Sequence, residues 1–105
     1  MKEILFYITN NKQPFKEWYK RLDNSQRIIV DKRLSKLERG LYGDKKQIDA
    51  NLQELKFENG LRIYFCERGN TIIILFTGGN KKRQNNDIAQ AKEYFNNYIE
   101  RCKDE

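Results

Sequence analysis

The chain has no histidine, one proline, one methionine, one tryptophan and two cysteines. Without histidine there is no imidazole pair for acid–base work and no Cys/His set for a zinc site. Cys66 and Cys102 stand far apart with no CxxC, and read as two reduced, partly buried thiols. Asp and Glu do not gather at metal-ligand spacing, so a two-metal centre is disfavoured. Long apolar runs are also missing. The first one, around Ile4-Leu5-Phe6-Tyr7-Ile8, is too short for a signal-peptide core or a membrane span, so a cytoplasmic location is expected. No repeat or low-complexity segment occurs.

What is present is charge and aromatic mass. Charged residues make up 34% of the 105, with 21 Lys+Arg against 15 Asp+Glu and a net charge of +6. Six Phe and six Tyr accompany the single Trp. This length supports one domain, over residues 1–105, which buries roughly 65% of the surface exposed by its unfolded chain. A basic surface draws anionic partners: nucleic acid, a membrane surface or an acidic protein.

Residues 2–9 are apolar on both alternating faces and predict a short covered strand. Pro14 suits a first helical turn, and Phe15, Trp18, Tyr19 and Leu22 follow on one helix face. After the break and cap at Asp23-Asn24-Ser25, a second helix carries Val30, Leu34, Leu37 and Leu41 on one stripe. Its opposite side is basic, with Arg27, Lys32, Arg33, Lys36 and Arg39, and reads as a solvated face, with ribosomal RNA contact as the functional alternative. Gly40 and Gly43 mark its end, and residues 43–51 read as a polar connection.

Residues 52–84 carry three strands in series. A two-residue turn at Asn59-Gly60 would set Phe57 opposite Arg62 and mix core with polar faces. A three-residue turn, Glu58-Asn59-Gly60, with Gly60 left-handed, pairs Phe57 with Leu61, Lys56 with Arg62, and Glu54 with Tyr64. Since a slip of one residue inverts every side chain, the second register is favoured. One face then holds Leu55, Phe57, Leu61, Ile63 and Phe65; the other holds Glu54, Lys56, Arg62, Tyr64 and Cys66. Ile72-Ile73-Ile74-Leu75-Phe76 predicts a strand covered on both faces, ended by Gly78-Gly79 and followed by the basic loop Asn80-Lys81-Lys82-Arg83. A last helix begins at residues 84–86, with Ile88, Ala91, Phe95, Tyr98, Ile99 and Cys102 on one stripe. The expected fold is α+β, in the order β-α-α-β-β-β-α. It has a mainly antiparallel sheet, an N-terminal αα-hairpin and a C-terminal helix. The helices pack chiefly on one face, and the face bearing Lys56 and Arg62 is open or partly covered by the last helix.

Arg27-Ile28 with Arg33-Leu34, Gly43-Asp44, Glu54-Leu55-Lys56 and Leu61-Arg62-Ile63-Tyr64-Phe65 lead to the most specific piece, Gly78-Gly79-Asn80-Lys81-Lys82-x-Gln84-x-x-Asp87-Ile88-x-x-Ala91. With these the chain resembles the RelE/ParE superfamily of bacterial toxins, nearest to its HigB-like branch of phage-derived, addiction-module killer proteins. The turn at Glu58-Asn59-Gly60 is shorter than that branch's Gly-rich turn, and residues 48–51 lack its usual glycine. The resemblance implies a small RelE-like fold and the toxin of a type II toxin–antitoxin module, an mRNA endoribonuclease acting on the ribosome. It implies a small helix-turn-helix antitoxin (HigA-like) as partner, and contact with operator DNA only through the antitoxin complex. ParE-like members of the same superfamily inhibit DNA gyrase instead, and a non-catalytic RNA-binding module is a further alternative.

Metal-free RNA cleavage needs a base for the ribose 2′-hydroxyl, a cation for the phosphorane and an acid for the leaving 5′-oxygen. In this chain Lys, Arg, Tyr and Glu remain for those roles. Arg62 can hold two phosphate oxygens with its planar fork. Lys56 adds charge, or acts as base if nearby cations lower its pKa, Glu54 is a second candidate base, and Tyr64 can donate a proton or stack on a nucleobase. Lys81, Lys82, Arg83 and Gln84 are the candidate RNA-binding residues. No cofactor, metal or membrane is expected. On composition alone these residues also fit a solvated sheet face, a plain surface loop and a helix cap.

Overall fold

A computed structural model describes residues 1–103. The elements are β1 (Glu3–Phe6), α1 (Pro14–Lys20), α2 (Asn24–Glu38), β2 (Lys45–Asp49), β3 (Leu52–Lys56), β4 (Leu61–Arg68), β5 (Ile72–Asn80), a 3-10 turn (Lys81–Arg83) and α3 (Gln84–Lys103). They form one five-stranded mixed sheet in the order β1-β5-β4-β3-β2, with β1 parallel to β5 and the other pairs antiparallel.

The helix ends follow from local chemistry. Pro14 opens α1 where its missing N–H costs nothing. Asp23 caps α2: its carboxylate accepts the Gln26 N–H at 2.8 Å, while the Gln26 side chain accepts the Asp23 N–H at 3.1 Å. At the other end Gly40, at φ +79°, carries a Schellman closure in which the N–H groups of Gly40 and Leu41 donate to the carbonyls of Leu37 and Lys36. The chain leaves the helix there, so Leu41 does not extend the Val30–Leu34–Leu37 stripe and is exposed.

Two apolar layers sandwich the sheet. Phe15, Trp18, Leu22, Val30 and Leu37 of the αα-hairpin pack on Leu55, Phe57, Leu61, Ile63, Phe65, Ile73 and Leu75. Ala91 and Phe95 of α3 cover Leu52, Tyr64, Cys66, Ile74 and Phe76 on the opposite face. The helices are thus divided between the two faces, and α3 covers the face that bears Arg62. Removing rings such as Phe65 and Phe76 from water contributes ~2 kcal/mol apiece.

The 43–51 connection is partly a strand. β2 pairs with β3 through Lys45–Leu55, Lys46–Glu54 and Gln47–Gln53, and lies at the sheet edge. Its residues are exposed apart from the partly buried Ile48, so it lacks the apolar alternation that marks a half-buried strand. Lysines on an edge strand also discourage pairing with another chain.

Candidate functional site

The three-residue turn sets the geometry. Gly60 adopts φ +91°, Gly60 N–H donates to Phe57 O at 3.1 Å, and Phe57 N–H donates to Leu61 O at 3.1 Å. β3 and β4 consequently pair Lys56 with Arg62 and Glu54 with Tyr64, the register anticipated from side-chain parity.

β5 brings the basic loop to the same end of the sheet. Its register against β4 shifts between Tyr64 and Phe65, leaving Phe76 as the extra residue of a bulge. The bulge changes side-chain parity, so that Gly78 faces α1 and Gly79 faces α3. A Cβ on Gly78 would lie 2.3 Å from the Trp18 indole, and one on Gly79 would lie 2.0 Å from Asp87 Oδ2. Each glycine is therefore the site of a close approach, one to each layer. Gly79 pairs with Arg62, and the space its missing side chain leaves is filled by the Asp87 carboxylate, which also accepts the Asn80 N–H at 3.3 Å. Asn80 caps the 3-10 turn, and Lys81 N–H donates to Gly60 O at 2.8 Å. That bond fastens the basic loop to the β3–β4 turn. Between them lies an open cleft of about 710 Å³ lined by Glu58, Asn59, Gly60, Asn80, Lys81 and Lys82.

The sequence-selected residues fall into two groups. Lys81, Lys82 and Arg83 are exposed, and Lys56 is partly buried. Beneath α3 lies a polar cluster: Glu54 is fully buried, Tyr64 is fully buried, and Arg62 is 9% exposed. Gln84, at the start of α3, donates its amide to both Glu54 oxygens, at 3.0 and 3.3 Å. Arg62 Nε stands 3.9 Å from Glu54 Oε1, too long for a hydrogen bond, and Nη1 donates to Leu61 O at 3.2 Å. Among the described residues Arg62 Nε and the buried Tyr64 hydroxyl make no hydrogen bond within 3.5 Å, although the Glu54 carboxylate lies beside the hydroxyl. Burial, then the neighbouring Glu54 and Asp87 carboxylates, push the Tyr64 phenol well above its ordinary range, with Arg62 opposing. Tyr64 accordingly keeps its proton at neutral pH. Glu54 and Tyr64 have no exposed surface with which to meet a substrate while α3 lies over them.

Asp87 joins this cluster by position. In the sequence it reads as a brace for the last helix, and the Gly-Gly pair eight residues upstream is the signal that the backbone comes close to it. Arg33 also departs from its sequence reading. It is not simply solvated: its guanidinium donates to the carbonyls of Tyr42, Lys56 and Asp44, each at 2.9 Å, tying α2 to the end of β3. A separate cleft of about 510 Å³, near Tyr7, Pro14 and Tyr94, contains none of the sequence-selected residues. Among the described residues no group of three or more His, Cys, Asp or Glu gathers as metal ligands, and no helix is long and apolar enough to cross a membrane.

Fold and site together define a small α+β domain with a lysine-bearing cleft at one sheet end and a Glu54–Arg62–Tyr64 cluster buried beneath α3. No family model matches the chain. An uncharacterized protein of Haemophilus influenzae is 32% identical over 81 residues, which cover 74% of this chain and 82% of that protein, and the chain belongs to the same family as it.

Proposed function

We propose that the chain is the toxin of a type II toxin–antitoxin module, and that it acts as a ribosome-dependent, metal-independent mRNA endoribonuclease in the cytoplasm. The observation that carries this reading is the Lys81 N–H to Gly60 O bond of 2.8 Å. It sets the exposed Lys81 and Lys82 in one cleft with the turn whose flanking strands carry Lys56 and Arg62, the latter beneath the start of α3. Such an arrangement suits a phosphodiester backbone, with Lys81, Lys82 and Arg83 gripping phosphates and Arg62 facing the charge that develops on phosphorus.

In the reaction the 2′-oxygen bonds to phosphorus as the P–O5′ bond breaks, giving a 2′,3′-cyclic phosphate and a 5′-hydroxyl. The Glu54 carboxylate, or Lys56 in its neutral amine form, takes the 2′-proton, and Tyr64 supplies a proton to the departing 5′-oxygen. For Glu54 and Tyr64 to take part, the first turn of α3 must lift. Ribosome-bound mRNA would arrive with its backbone already oriented, which lowers the demand on the protein's own groups. Gln84 holds Glu54 rather than RNA in the conformation described. The partner is a small helix-turn-helix antitoxin, and operator DNA is met only through that complex.

The full burial of Glu54 and Tyr64 favours a second reading, in which the chain works by binding, as a ParE-like gyrase inhibitor or a non-catalytic RNA-binding module. One pair of assays separates the readings. Purified protein is added to a translating extract, where mRNA 5′ ends are mapped, and to DNA gyrase, where supercoiling is followed. New 5′ ends inside translated frames with gyrase unaffected support cleavage. Loss of supercoiling with intact mRNA supports the gyrase reading, and ribosome or RNA binding with neither effect supports the non-catalytic one.

A further inference from the structure

We propose that the outer face of α2, together with the β3–β4 turn, is a docking groove for an acidic amphipathic segment of a partner protein. The observations lie on the side of α2 turned away from the core. Val30 and Leu37 are the buried residues of this helix, yet Ile28 and Ile29 stand 54% and 41% exposed. One apolar stripe is enough to seat a helix on its own sheet. β-Branched side chains at exposed helical positions are also not favoured by helix propensity. Ile29 forms one wall of a cleft of about 460 Å³ whose floor is the Arg33 guanidinium laid over the nearly buried Phe57 ring and whose rim carries Lys32, Lys36 and Glu58.

The groove is built rather than incidental. Arg33 lies with its guanidinium carbon 4.8 Å from the centroid of the Phe57 ring, and it is pinned there by its three backbone carbonyls. The floor therefore needs little ordering when a ligand arrives. Lys32 and Lys36 are exposed and one turn apart, roughly 6 Å along the axis. Carboxylates four residues apart on a partner helix match that spacing. Glu58 is the one acid among the lining residues, against Lys32, Arg33 and Lys36, so the charge of the groove complements an acidic segment.

Other occupants fit less well. Phe57 is 7% exposed and its ring is faced by Arg33, which leaves little aromatic surface for a nucleobase to stack on. A second copy of this chain would bring another net charge of +6 to a basic rim. The surface stands on these contacts whether or not the chain cleaves RNA.

The test uses the full chain and a labelled synthetic peptide designed as an amphipathic helix, with Leu on one face and Glu flanking it. A Lys-for-Glu peptide and a single-stranded RNA oligonucleotide serve as competing probes. Affinity is read by fluorescence anisotropy and the contact site by isoleucine methyl NMR. The acidic peptide is expected to bind and to shift the Ile28 and Ile29 methyl signals. Reversal of both rim charges, Lys32→Glu with Lys36→Glu, weakens it by about tenfold or more and creates affinity for the basic peptide. Ile29→Asp also weakens it. Lys92→Glu with Lys103→Glu, an equal charge change on exposed positions of α3, leaves it within about twofold. Far-UV circular dichroism confirms that each variant is folded. Four outcomes each overturn the proposal: no binding of the acidic peptide, binding that leaves Ile28 and Ile29 unmoved, RNA shifting those methyls in its place, or their shifting with protein concentration alone.

Discussion

Gln84 and Glu54, thirty residues apart, are joined by two hydrogen bonds from one amide to one buried carboxylate, at 3.0 and 3.3 Å. This contact latches the start of α3 onto β3 and gives Glu54 direct partners that Arg62, 3.9 Å away, does not provide. Gln84→Ala is expected to lower stability by about 1–3 kcal/mol, because it leaves a buried acceptor unsatisfied. Gln84→Glu sets a second carboxylate against the first and is expected to cost more. Urea denaturation of the two variants checks the order. Equal stabilities of wild type and Gln84→Ala would show that the latch carries no free energy.

The Gly-Gly pair makes a separable prediction. Gly78→Ala places a methyl against the Trp18 indole, and Gly79→Ala places one against the Asp87 carboxylate. Overpacking of this kind costs roughly 1–3 kcal/mol, and about 2 kcal/mol is expected for Gly78→Ala, where a rigid ring must move. Gly79→Ala can be relieved by displacing Asp87 and the first turn of α3. Amide hydrogen exchange is therefore expected to quicken at residues 84–88 in Gly79→Ala and to be unchanged there in Gly78→Ala.

Among the described residues the buried Tyr64 hydroxyl makes no hydrogen bond within 3.5 Å, and the Glu54 carboxylate beside it raises its pKa. Tyr64→Phe removes that polar atom and keeps the ring, so stability is expected to hold or rise by up to about 1 kcal/mol. If the hydroxyl serves as acid for the leaving oxygen, cleavage falls by roughly 10²-fold or more in the same variant. Thermal melts and cleavage rates measured on one preparation separate the two effects. A variant that cleaves at the wild-type rate would remove Tyr64 from the chemistry.

Cys66 supplies the pH dependence. Burial, then Cys102 and Glu67, push its thiol from 9.0 up to about 12. An acid whose pKa is higher in the folded state keeps its proton while the unfolded chain loses one, so stability falls as pH rises between those two values. The expected loss begins near pH 9.0 and is reduced in Cys66→Ala relative to that variant's own value at pH 7. Tyr64 and Tyr98, raised in the same direction, add to the alkaline loss that remains. Denaturation midpoints across pH 7 to 11 test it. A wild-type midpoint that is flat through this range would contradict the assignment.

The parts legible in the sequence were those written as parity or capping. Phe57, Leu61, Ile63 and Phe65 could share a face only with a three-residue turn, and the Lys56–Arg62 and Glu54–Tyr64 pairs followed. Pro14 and Asp23 marked helix starts in the same direct way. β2 was hidden because an exposed edge strand needs no apolar residues, so Lys45-Lys46-Gln47 looks like loop. The bulge at Phe76 was hidden because every residue from Ile72 to Phe76 is apolar, and a run with no alternation cannot report a change of parity. For the candidate site, the sequence brought Lys56, Arg62 and the basic loop into view. It left that face either open or partly covered by the last helix, and the full burial of Glu54 and Tyr64 under α3 was not legible, since covering one residue by another element leaves no local mark.

The central claim is that Arg62 and the lysines beside it act on RNA. The most direct measurement is single-turnover cleavage of mRNA on programmed ribosomes, comparing wild type with Arg62→Ala and with Lys81→Ala/Lys82→Ala, alongside co-sedimentation with ribosomes. The account predicts that wild type leaves 2′,3′-cyclic phosphate ends. It predicts that Arg62→Ala cuts roughly 10²-fold or more slowly while still co-sedimenting, and that the double lysine variant loses affinity more than rate. Intact mRNA with the wild-type protein, or cleavage by Arg62→Ala at the wild-type rate, would contradict it.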